Sequence, residues 1–169
     1  MSTYTDLGIE LMVTGENAGT WGTKTNNNLN LIEQLTGGFA TVSIAGGAGT
    51  TALDVDDGAL TGTAQQRVIE FTGSISGNRI VTIPNDVETF YILKNSTTGA
   101  YTVQFKYATG SGASTTFSTT DKGIKIVYAS ASPDATNPII VDVMANSSEI
   151  ALTNSNPIKF QDADNSAFV

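Results

Sequence analysis

The sequence predicts a mainly β protein: an N-terminal arm with one short α-helix, an antiparallel β-sandwich of jelly-roll-like kind, and an extended C-terminal connector. Three observations lead there. Short segments rich in β-branched and aromatic residues follow one another from Phe39 to Met144, each closed by Gly, Asn, Pro, Asp or Ser. Several of them alternate apolar and polar residues, the mark of a strand with one wet face. Helical periodicity occurs once, before Gly38, and no βαβ pattern intervenes to suggest a parallel α/β enzyme. The expected parts are residues 1–38, an anchoring arm and helix; 39–144, the sandwich; and 145–169, the connector.

The arm comes first. Thr20 or Thr23 is placed to cap a helix, and Leu29, Ile32 and Leu35 recur at three-residue steps along one face, which Leu31 widens. Gly37 and Gly38 should stop the helix in a left-handed cap. Asn26, Asn27, Asn28 and Asn30 are weak helix formers that are tolerated in a first turn, where their side chains accept from free backbone N–H groups. Trp21, the single Trp, sits in what reads as a loop between Gly19 and Gly22. Two readings stand beside each other: it tucks under its own helix as a small local core, or it anchors in a neighbouring subunit, where Trp is enriched. A one-helix segment buries too little surface to be stable alone, so the sandwich or another chain must cover it.

The strand region follows. "FATVSIAGGAGTTALDV" reads as two alternating segments about Gly46 and Gly47, a hairpin signal. "QRVIEFTG", "RIVTIP", "TFYILKN", "YTVQFKY", "GIKIVYA" and "IIVDVM" read as further strands. In "YTVQFKY", Tyr101, Val103, Phe105 and Tyr107 should face the core. Strands of this kind joined by tight turns describe an antiparallel architecture. The last region is polar, with two short apolar pieces at 150–152 and 158–160, and cannot build a core of its own.

Composition narrows the chemistry. The 169 residues include neither Cys nor His, which removes thiolate and imidazole metal ligands and His-assisted nucleophiles. Lys and Arg total 8 against 16 Asp and Glu, a net charge of −8, which opposes binding to nucleic acid or an anionic membrane surface. No segment is apolar and long enough to span a membrane. The start, "MSTYTDLGIELMV", lacks a charged n-region and a cleavage site, so no secretory signal is expected. "DVDDG" at 54–58 resembles the front of a calcium loop, but Gln65 stands where the bidentate Glu is required, so a solvated acidic turn is expected. "DADNS" at 162–166 has the same weakness. Glu70, Asp86 and Glu88 are close in sequence, but Glu70 alternates with Ile69 and Phe71 and should face solvent rather than form a catalytic pair. "GGAGTT" at 46–51 has no Lys and no following helix, so it is a turn and not a phosphate loop. No catalytic residue, metal site or cofactor is expected.

With these residues on the page, the arm shows a resemblance. "TGENAGTWGTKTNNNLNLIEQLTGG" resembles a motif at the start of tail-fibre and other virion structural proteins of tailed phages, especially marine and cyanobacterial ones. Gly15, Glu16, Gly19, Thr20, Trp21, Gly22, Thr25, Asn26, Asn28, Leu29, Ile32 and Glu33 fit its pattern. "NRIVTIPNDVETFYILKNSTTGAYTVQFKYATGSG" is similar to the strand module that follows in such fibres. The ending "IKFQDADNSAFV" resembles the opening of a further fibre segment.

The resemblance implies a non-enzymatic virion protein and a homotrimer. Its N-terminus would be bound to the phage tail or baseplate, and its distal part would support contact with a host surface glycan or protein. It also implies that these residues are the virion-proximal part of a longer fibre. The docking or subunit-interface residues expected on this basis are Trp21, Thr25, Asn26, Asn28, Leu29, Ile32 and Leu35. A capsid decoration or cement protein, or a head fibre, is the alternative within the structural class. A polysaccharide depolymerase, or a carbohydrate-binding module stacking sugars on Tyr101, Phe105 or Tyr107, is the alternative outside it.

Overall fold

The computed structural model describes residues 2–131 and 136–145. The expected connector, apart from Ala145, therefore lies outside the described residues, as do its two apolar pieces and the acidic 162–166 stretch.

The chain is mainly β with one helix. Two short strands, β1 (Thr3–Tyr4) and β2 (Glu10–Leu11), pair antiparallel, and helix α1 (Trp21–Gly37) follows. The strands are then β3 (Phe39–Ser43), β4 (Gly49–Ala52), β5 (Val68–Thr72), β6 (Arg79–Ile83), β7 (Glu88–Asn95), β8 (Val103–Tyr107), β9 (Thr115–Phe117), β10 (Ile124–Ser130) and β11 (Ile140–Asp142). A single 3-10 turn at Thr63–Gln65 interrupts the link from β4 to β5.

Each of the expected strand segments forms, but their pairing is not the all-antiparallel one. The five-stranded sheet has the order β11-β10-β7-β5-β3, and the four-stranded sheet β4-β6-β8-β9. Strands β3, β5 and β7 run parallel in register, Phe39 beside Val68 and Val68 beside Ile92. Strands β4, β6 and β8 do the same, Gly49 beside Arg79 and Arg79 beside Val103. Within these two sheets, antiparallel pairing is confined to β10 on β7, β11 on β10 and β9 on β8. The chain winds: it lays a strand in the first sheet, turns a corner, lays the next in the second sheet, and returns one strand further on.

The stretch around Gly46 and Gly47 is therefore a corner between sheets and not a hairpin. Successive corners stack through parallel bridges, Gly46 to Ile75 and Ser74 to Thr98. Ile44 N–H donates to the Thr72 carbonyl at 2.9 Å, and Ser96 N–H to the Phe71 carbonyl at 2.8 Å. Gly99, at φ +102°, is required at the third corner, because a Cβ there would strike the Ile75 carbonyl.

The inward residues of both sheets form one core. Ile69, Phe71, Tyr91, Leu93, Val127 and Ala129 come from the first sheet, and Val81, Ile83, Val103, Phe105, Tyr107 and Phe117 from the second. Phe105 meets Tyr91 edge-on at 5.7 Å and Phe71 at 6.3 Å, contacts that span the two sheets. As expected, Val103, Phe105 and Tyr107 are buried together; Tyr101 lies before the strand and is partly exposed. Buried phenols find partners: Tyr91 Oη donates to the Ala64 carbonyl and Tyr107 Oη to the Val87 carbonyl, each at 2.7 Å.

Candidate functional site

Helix α1 begins one residue after Thr20, so Trp21 is its first residue and not a loop residue. Thr20 has no side-chain cap bond; its hydroxyl donates instead to the Asn17 carbonyl at 3.3 Å. Asn17 at φ 65° and Gly19 at φ 84° bend the chain into the helix. At the other end Gly37 is helical and Gly38 is extended, with φ −66° and ψ 152°. The expected left-handed cap does not form. Gly38 is there for closeness: a Cβ would collide with the Gln66 side chain and the Gln34 backbone.

One face of the helix is fastened to the body. Leu31, expected only to widen the apolar face, is its fully buried residue. Lys24 Nζ lies 2.9 Å from the Glu10 carboxylate. Asn28 takes both backbone groups of Glu10, accepting its N–H at 3.0 Å and donating to its carbonyl at 2.8 Å. Asn27 donates to the Gly58 carbonyl at 3.4 Å, and Gln34 to the Leu60 carbonyl at 3.1 Å. The Asn run thus lies beyond the first turn, where the Asn27 and Asn28 amides grip other backbone rather than the helix's own N–H groups. The Lys24 ammonium, then the Ser2 hydroxyl, hold the Glu10 carboxyl below its ordinary range. Glu10 in turn raises Lys24.

The adjoining face is open. Trp21 is 62 % exposed, Leu29 58 % and Ile32 48 %. With Thr25 these residues fall at offsets of four, eight and eleven, one stripe of an α-helix. Asn26 is exposed, and Thr25 and Leu35 are half-buried. The Thr25 hydroxyl has no hydrogen-bond partner among the described residues. Among the described residues, apart from chain neighbours and the helix's own backbone, nothing lies within 4 Å of where a Cβ would stand at Gly19 or Gly22. The structure therefore brings Trp21, Thr25, Leu29 and Ile32 together on the outer stripe and turns Asn28 inward. The periodicity of the leucines concealed the roles of Glu10 and Lys24; their only traces are a Glu between Ile9 and Leu11 and a Lys one turn after the Trp.

Three of the acidic residues singled out in the sequence, Asp54, Glu70 and Glu88, make local contacts. The Asp54 carboxylate accepts from Thr63 N–H at 3.1 Å and from its hydroxyl at 2.7 Å. Glu70 pairs with Lys94 at 2.8 Å and accepts from the Ser96 hydroxyl, contacts that lower its carboxyl in that order. Glu88 accepts from Tyr128 Oη at 2.6 Å. No group of three or more acidic side chains among the described residues is placed to hold a metal ion. No helix of the described residues is long and apolar enough to cross a membrane. What the helix offers is an aromatic and aliphatic stripe on a braced support, suited to burial against another surface.

Compared with known proteins, the chain matches no family model, no curated protein and no solved structure.

Proposed function

We propose that the chain is a structural virion protein, the virion-proximal part of a phage tail fibre. In this reading it assembles as a homo-oligomer, a trimer by its resemblance to such fibres, and docks on the tail or baseplate through α1. Its work is mechanical and adhesive rather than catalytic. The two sheets form a coiled sandwich that spaces and orients whatever meets the host.

The observation that carries the reading is the open Trp21–Leu29–Ile32 stripe on a helix whose other face is pinned by Leu31, Asn28 and Lys24. A stripe that served only its own chain would be turned inward. Presented rigidly, it loses little conformational entropy when a partner covers it, so more of its burial energy reaches the complex. At about 25 cal/mol per Å² of apolar surface, one Trp and two aliphatic side chains contribute several kcal/mol per chain. Several chains held together multiply the effect through effective concentration.

The test is Trp21→Ala. The purified variant keeps its unfolding midpoint, while its copy number per purified particle falls at least tenfold. Normal incorporation of a folded variant overturns the anchor role.

A further inference from the structure

The outer face of the five-stranded sheet carries an apolar row that crosses the sheet. The strand register places Phe39, Val68, Ile92 and Ile126 side by side on β3, β5, β7 and β10. Val143, just past β11, extends the row, its N–H donating to the Ile126 carbonyl at 2.9 Å. Phe90 and Tyr128 flank the row on one side, their rings 5.0 Å apart, and Ile124 flanks it on the other. Phe39 is 57 % exposed, Phe90 51 %, Ile124 64 %, Ile126 40 % and Val143 48 %.

The second sheet has no such face. Its register aligns Thr50, Ile80, Gln104 and Thr116, then Ala52, Thr82 and Lys106, on the outward side. The asymmetry is thus a property of one sheet and not of the sequence's general composition. Parallel strands, moreover, are ordinarily covered on both faces.

We propose that this face is buried against the same face of sister copies of the chain. Charge permits a copy as the occupant. The protein carries a net charge of −8, yet this face is nearly neutral: Glu70 is paired with Lys94 at 2.8 Å, and Glu88, the first residue of β7, keeps its carboxylate charge while accepting from Tyr128 Oη at 2.6 Å. Two such faces meet with one uncompensated carboxylate each, at the end of β7 and not within the apolar row. Area favours it. Five strands about 4.8 Å apart, each offering about five residues at about 3.3 Å, give a plan area of roughly 400 Å². Side-chain relief raises the accessible area above that, toward the about 800 Å² that each partner contributes to a standard interface.

The proposal rests on the homo-oligomer of the proposed function, but uses neither the helix stripe nor any virion partner. Its test is sedimentation equilibrium of the full chain over a concentration series, with the double variant Ile124→Glu/Ile126→Glu and with Trp21→Ala. The wild type and Trp21→Ala associate alike. The double variant, with an unchanged circular dichroism spectrum, self-associates at least tenfold more weakly. Because the chain has no Cys, Ile126→Cys adds a single thiol, and a short bis-maleimide then links two copies through it. A wild-type chain that stays monomeric throughout, or a double variant that associates as the wild type does, overturns the proposal. Association lost in Trp21→Ala but kept in the double variant overturns it as well. If Trp21→Ala enters particles normally while face-dependent association persists, the tail-docking reading fails and this one stands.

Discussion

Asn28 and Glu10 are joined as two strands are joined: the Asn28 side-chain amide both donates to and accepts from the Glu10 backbone, at 2.8 and 3.0 Å. A helix side chain thereby extends the β1–β2 ribbon and fixes how α1 lies on the body. Asn is the residue for this task, since its amide carries a donor and an acceptor in the peptide's own geometry.

Asn28→Leu removes both bonds and leaves a partly buried N–H and carbonyl unpaired. The expected cost is about 1–3 kcal/mol. For a chain of this length that lowers the thermal midpoint by about 2–4 °C per kcal/mol. Hydrogen exchange should rise first along α1 and β1–β2, with the two large sheets keeping their protection.

The Glu10–Lys24 pair makes that attachment dependent on pH. The Glu10 carboxyl is lowered in the folded protein from its ordinary 4.5, chiefly by Lys24. Its contribution is complete above pH 4.5 and is lost as pH falls through the lowered native value. Lys24 is raised from 10.5, so its contribution is complete below pH 10.5 and is lost as pH climbs through the raised value. Denaturant unfolding of the wild type and of Glu10→Gln should therefore differ most between these limits and converge in acid.

Gly99→Ala should destabilise the coil. The residue sits at φ +102°, which an L side chain rarely adopts, and the added Cβ meets the Ile75 carbonyl of the corner below. Backbone strain of this kind costs about 1–3 kcal/mol before the clash is counted. A shift in the urea midpoint measures it. Gly22→Ala is the control, for it meets nothing within 4 Å and has no positive φ.

Tyr91→Phe leaves the Ala64 carbonyl without the phenol that donates to it. Burial raises the Tyr91 pKa above its ordinary value, so the hydroxyl keeps its proton and remains a donor beyond the ordinary phenol range. The expected loss is about 1–2 kcal/mol with the ring packing on Phe105 retained. Equilibrium unfolding gives the size, and an unchanged near-ultraviolet spectrum shows that the core is intact.

Much of the fold was legible. The alternation of Val103, Phe105 and Tyr107 placed those side chains inside, and the segments around Val68, Arg79, Phe90 and Ile124 all became strands. Strand direction was not legible, because a period of two is the same read either way. The glycines at 46 and 47 signal a reversal equally well for a hairpin and for a corner between sheets. In the helix, Leu29, Ile32 and Leu35 shared a periodicity that said nothing about which side the body lies on.

Local propensity and side-chain period were enough for the mainly β character and for one helix carrying the Leu29–Ile32 repeat. Long-range packing settles that β3, β5 and β7 run parallel, that Trp21 heads the helix, that Leu31 and Asn28 face inward while Trp21, Leu29 and Ile32 face out, and that one sheet carries an open apolar row. Those outcomes depend on stacked corners and on contacts between residues far apart in the chain, such as Glu10 with Asn28 and Phe39 with Val68. Such pairings arise only when distant segments are brought into one register.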